Sequence, residues 1–103
     1  DRSPDVAWVE RSRWLALTPE QRERFAPIAP DFVVELRSSS DNLPTLQAKL
    51  REYLDNGVRL AWLLDRPGRR VEIHRPGQTV EITSAPVVLS GEAVLPGFSL
   101  RFE

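Results

Sequence analysis

Short apolar runs separated by longer polar stretches mark out the elements of this chain. Val6-Ala7-Trp8-Val9 is brief and wholly apolar and reads as a first strand. Thr18-Pro19-Glu20-Gln21 carries the marks of a helix start, with threonine as cap, proline at the first helical position and a glutamine three residues after the cap. That helix is polar and ends before Pro27 and Pro30. Phe32-Val33-Val34-Glu35-Leu36 is a second strand. It lacks polar alternation, which predicts burial on both faces, as in a sheet covered by helices.

The polar loop Ser38–Asn42 offers several N-caps and precedes a helix from about Leu43 to Asn56, stopped by Gly57. Leu43, Leu46, Leu50 and Leu54 form its apolar stripe, with Tyr53 along the edge. Leu60-Ala61-Trp62-Leu63-Leu64 is then another buried strand, and strand, helix and strand on short links predict a parallel crossover. Beyond the turn Arg66-Pro67-Gly68-Arg69 the pattern changes. Val71-Glu72-Ile73-His74 alternates as a half-exposed strand with His74 facing solvent beside Glu72. Pro76-Gly77 turns into Val80-Glu81-Ile82, Val87-Val88-Leu89 pairs next, and Ser90-Gly91 turns again. The predicted class is α/β with an α+β mixed sheet: a strand-helix-strand crossover followed by an antiparallel meander that continues the sheet.

Composition narrows this picture modestly. With 103 residues, 41% hydrophobic and 28% charged, the chain is predicted to form one globular domain over residues 1–103. No apolar run is long enough to cross a bilayer, and no signal segment opens the chain, so no membrane partner is expected. Cysteine is absent, which removes disulfides, thiolate nucleophiles and cysteine-based zinc sites and fits a cytoplasmic location. The net charge of −1 does not advertise nucleic-acid binding. Methionine is also absent and the chain begins at Asp1, so it is expected to be the C-terminal, larger part of a longer protein.

Three residues could carry chemistry. Glu35 is a carboxylate inside an apolar strand, costly to bury unless it is paired, hydrogen-bonded or bound to a metal; at a strand end it could also reach solvent or an arginine. Asp5 stands just before the first strand, where aspartate often only forms a turn. Together with a main-chain carbonyl, two carboxylates at the ends of neighbouring strands make an oxygen-rich site for magnesium or manganese. Lys49 is the only lysine among fourteen basic residues, the rest being arginine. Arginine-rich codon usage explains that imbalance. Yet Lys49 falls at the edge of the helix's buried stripe, where its stem can lie along the core and its ammonium reach toward the strand end. Gln47 occupies the opposite edge. Arg66, Arg69, Arg70 and Arg75 form a basic hairpin able to meet phosphates, although Glu72 and Glu81 nearby favour a solvated, salt-bridged surface.

Pro30-Asp31-Phe32-Val33-Val34-Glu35-Leu36, with Ser38, Ser40 and Asp41, resembles the Uma-two-type family, described as restriction endonucleases. The match continues through Leu46–Leu54, Gly57-Val58-Arg59, Trp62-Leu63-Leu64-Asp65, the opening Pro4-Asp5-Val6-Ala7 and the tail Leu95–Leu100. The resemblance implies a PD-(D/E)XK nuclease-like fold, here a restriction-endonuclease-like core, and a Mg2+- or Mn2+-dependent endonuclease that hydrolyses DNA phosphodiester bonds. It implies Asp5 and Glu35 as catalytic carboxylates and metal ligands, the Leu36 backbone carbonyl as a further ligand, and Lys49 as the catalytic lysine moved onto the helix. Arg37 stands where the usual lysine of the motif would be, and could contact phosphate. DNA is the implied partner, with homodimerisation left open. The alternative is a catalytically inactive nuclease-fold fragment acting as a binding or dimerisation module.

Overall fold

The apolar runs become seven strands and one long helix in the computed structural model, which describes residues 6–9, 18, 20 and 30–103. In chain order these are β1 (Val6–Trp8), β2 (Phe32–Arg37), α1 (Leu43–Asp55), β3 (Leu60–Asp65), β4 (Arg70–His74), β5 (Glu81–Ser84), β6 (Val87–Ser90) and β7 (Ser99–Phe102). The helix expected from Thr18 lies outside the described residues apart from Thr18 itself and Glu20, which is helical.

The first five strands form one sheet in the order β1-β2-β3-β4-β5. Strands β2 and β3 are parallel, from Phe32 opposite Leu60 to Arg37 opposite Asp65, with α1 as the crossover between them. The remaining pairings in this sheet are antiparallel. Asn42 caps α1 by accepting the Thr45 N–H at 3.0 Å, Pro44 occupies the first turn, and Gly57 at φ 107° ends the helical path.

The sequence predicts a meander that continues the sheet, but only β4 and β5 do so. After β5 the chain leaves it, and β6 pairs with β7 as a separate two-stranded sheet. Strand β7, which the periodicity did not single out, supplies Leu100 and Phe102, while β6 supplies Val87 and Leu89. These side chains need an apolar floor. They find it on the face of the large sheet that α1 leaves uncovered.

Two cores result, one on each side of the large sheet. Phe32, Val34, Leu60, Trp62, Leu64, Val71 and Ile73 point to the β6–β7 side. There the Trp62 ring meets Phe32 edge-on at 4.8 Å and stacks against Phe98 at 6.3 Å. Val33, Ala61 and Leu63 point to the other side, under Leu50 of α1 and beside Val58. Both faces of β2 and β3 are therefore dry, as their unbroken apolar runs predict. The exception is Leu36, 48% exposed.

Leu50 is fully buried at the centre of the α1 interface. Leu50→Ala should cost about 3 kcal/mol in chemical denaturation, whereas Leu36→Ala should cost less than about 1 kcal/mol.

Candidate active site

The face of the sheet under α1 is not purely apolar. Residues of alternating strand positions place three rows of side chains there: Val33, Ala61 and His74; Glu35, Leu63 and Glu72; Arg37, Asp65 and Arg70. Glu35, Asp65 and Glu72 are each no more than 2% exposed. A buried carboxylate is tolerable only with partners to compensate it, and each of these has at least one donor, although Asp65 Oδ2 accepts no hydrogen bond and faces only the charge of Arg70.

Lys49 reaches down from α1 and donates to Glu35 Oε1 at 2.8 Å. Its side chain is 18% exposed, and its ammonium lies 5.9 Å from the centre of the Tyr53 ring. Burial pulls the Lys49 pKa down, but the hydrogen bond and charge of Glu35, with a smaller contribution from Tyr53, raise it above its ordinary value. At neutral pH Lys49 is a fixed positive charge and a hydrogen-bond donor.

Two residues earlier on α1, Gln47 donates to Glu72 Oε2 at 2.6 Å. The other Glu72 oxygen lies 3.0 Å from His74 Nε2. The sequence reading of His74 as exposed and of Glu72 as part of a solvated surface is therefore wrong: each is 2% exposed. Alternation revealed that β4 has two kinds of face, but both faces are covered. Val71 and Ile73 meet the β6–β7 side, and Glu72 and His74 lie on the side of α1.

Asp65 completes the third row. It accepts from Arg37 at 2.9 Å through Oδ1 and from the Gly68 N–H at 3.1 Å, while Arg70 lies 3.5 Å from Oδ2, an ionic contact rather than a hydrogen bond. A Cβ on Gly68 would stand 2.6 Å from Asp65 Oδ2, so any larger residue would push this buried carboxylate from its place. Burial alone would raise the Asp65 pKa, but the bonds from Arg37 and Gly68 and the charges of Arg37 and Arg70 hold it below the usual 3.8. Arg37, considered as a phosphate contact, is already engaged by Asp65 and by the Asp41 carbonyl.

The structure thus brings Glu35 and Lys49 together, with the Leu36 backbone next to Glu35. Asp5 lies outside the described residues. Its successor Val6 pairs with Val34, the residue before Glu35. Among the described residues no three His, Cys, Asp or Glu side chains converge in a metal-binding group. The donors at Glu35 and Leu36 are all oxygen, which is the chemistry a hard divalent cation takes. Sequence reasoning missed the Gln47–Glu72–His74 cluster and the Asp65 centre. Asp65 had left one trace, a lone carboxylate closing an apolar strand.

The chain matches, over residues 1–103, the Uma2 family model, described as "Putative restriction endonuclease". It belongs to that family. No curated protein matches. Among solved structures the fold is similar to "a putative nuclease belonging to DUF820" from Anabaena variabilis, with a TM-score of 0.66 and 24% sequence identity. That likeness covers 73% of this chain and 42% of the other, so this chain spans less than half of that protein. At this identity the likeness speaks for the fold alone. No helix among the described residues is long and apolar enough to cross a membrane.

A depressed carboxyl pKa stabilises the fold above the unfolded value and loses that contribution as pH falls through the folded one. Asp65→Asn should therefore lower stability by about 3 kcal/mol near neutral pH. The gap between wild type and variant should shrink as the pH drops below 3.8, as followed by urea denaturation across an acid pH series.

Proposed function

We propose that this Uma2 family member is a divalent-metal-dependent endonuclease that hydrolyses phosphodiester bonds in DNA. The observation that carries the reading is the buried Glu35 carboxylate with the Lys49 ammonium 2.8 Å from one of its oxygens. A carboxylate held on a rigid strand beside a permanently charged donor is a costly arrangement for packing alone, and it is apt for binding a cation and a phosphate together.

In this reading Asp5, Glu35 and the Leu36 carbonyl hold Mg2+ or Mn2+. When bound, the ion supplies an activated water and neutralises charge on the scissile phosphate. Support for Asp5 comes from the antiparallel pairing of Val6 with Val34, one residue short of Glu35. Lys49 orients the attacking water or the phosphate oxygen by donation, and its charge opposes the negative charge that builds at phosphorus. Being held in its charged form, it serves as donor and not as base. Leu63, between Glu35 and Glu72, together with Leu50 above, keeps water from beneath the pair.

The alternative is an inactive nuclease-fold module in which the same ion pair only pins α1 to the sheet. The two readings part on one experiment. Cleavage of plasmid DNA should require Mg2+ or Mn2+, stop with EDTA, and fall at least about a hundredfold in both Glu35→Gln and Lys49→Ala. Circular dichroism should show both variants folded. Equal cleavage by wild type and variants would rule out the proposed site, and no cleavage by folded wild type would favour the inactive module.

A further inference from the structure

The third polar row, Arg37–Asp65–Arg70, lies on the same sheet face as Glu35 and about 7 Å further along the strands. Just past it, where β2 and β3 end, a groove of about 550 Å³ opens between Leu36, Arg37, Ser38 and Ser39 on one side and Arg66 and Pro67 on the other. It begins at the residue next to Glu35.

The charge here is unlike that of the chain as a whole. Four arginines (Arg37, Arg66, Arg69 and Arg70) gather around one buried carboxylate, Asp65, with the Asp41 carboxylate turned to Ser38, in a chain whose net charge is −1. Arg37 and Arg70 share Asp65. Arg66 and Arg69 are exposed and, among the described residues, their side chains have neither a hydrogen bond nor an ion pair. Elsewhere Arg59, Arg75 and Arg101 each face a carboxylate, and Arg51 lines a separate groove with Asp55. The glutamates expected to neutralise the hairpin are turned away from this end. Glu72 is buried against Gln47 and His74, and Glu81 is taken by Arg75.

The turn that presents these two arginines is rigid. The Arg69 N–H donates to the Arg66 carbonyl at 3.1 Å, the Arg69 carbonyl accepts from Ala85 at 2.9 Å, and Gly68 is tied to Asp65. Arg69 itself sits at φ 52°, a conformation that glycine or asparagine adopts at less cost. A long cation at a position that disfavours it, with no partner for its charge among the described residues, points to a partner outside the chain.

We infer that the β3–β4 turn is a phosphate-backbone clamp, in which Arg66 and Arg69 grip the strand of a nucleic acid lying along the groove next to Glu35. Guanidinium forks match phosphate oxygens two at a time, and backbone contacts of this kind position a strand without reading its sequence. The inference deepens the phosphodiesterase reading and rests on it for nucleic acid as the ligand. Ser38 and Ser39 line the opposite wall, and Leu36 and Arg37 join the groove to the strand that carries Glu35.

The test measures binding without cleavage. Fluorescence anisotropy of a labelled DNA duplex is followed in the Glu35→Gln background from about 50 to about 200 mM salt. Adding Arg66→Ser and Arg69→Asn, the second chosen to suit the positive φ, should lower the salt slope by about one per arginine. Affinity at about 0.1 M salt should fall roughly fivefold to tenfold per arginine. Arg101→Ser, on β7, should leave both unchanged. An unchanged slope and affinity in the double variant, or an equal loss in Arg101→Ser, would each overturn the clamp. Absence of duplex binding by the parent protein would overturn it too. A clamp that responds as expected in a protein that never cleaves would defeat the catalytic reading and leave this one standing.

Discussion

Three carboxylates are buried on one face of the large sheet, and the placement of α1 follows from the need to satisfy two of them, Glu35 and Glu72. Removing an ionised carboxylate from water costs several kcal/mol unless donors replace the lost hydration. Glu35 and Glu72 stand on either side of Leu63 in one cross-strand row, about 10 Å apart. Lys49 answers the first and Gln47 the second, two residues apart on one helix. Leu50 packs between sheet and helix with Val33, Ala61 and Leu63. The apolar contact supplies the attraction, and the two polar contacts fix the helix's rotation and height. A slip of α1 by one residue would swing both donors away together.

The same arrangement explains why chemistry concentrates at one end of the sheet. Moving from the Val33 row to the Arg37 row, the helix-covered face passes from apolar packing, through Glu35, to paired arginines, and then to an open groove with Arg66 on its wall. Interior and surface are joined by a graded polar strip. Glu35 sits where that strip changes from dry to wet, dry enough to strengthen the Lys49 contact and one residue from the exposed Leu36.

Much of the frame was legible in the chain itself. The runs at Phe32 and Leu60 are apolar in consecutive positions, and only a strand dry on both sides rewards that pattern. The leucine spacing of α1 and its asparagine and glycine boundaries specify a helix locally. The position of Lys49 at the stripe's edge followed from helical geometry, so its reach toward Glu35 was open to calculation. His74 and Glu72 were misread for a physical reason. Alternation reports that two faces differ in polarity. It does not report that a helix will lie across the polar one.

What the sequence determined by itself was local: where strands and helix begin, which stripe of the helix is apolar, and that a carboxylate sits inside a run that should be dry. Those properties depend on neighbours within a few residues. The tertiary structure alone decided that β6 and β7 leave the sheet to cover its second face, that Glu72 and His74 are buried, and that Asp65 draws in Arg37 and Arg70 while Arg66 and Arg69 remain without partners among the described residues. Partner choice among fifteen acidic and fourteen basic residues depends on distances across strands and turns, and those distances exist only once the sheet has closed and the helix has settled upon it.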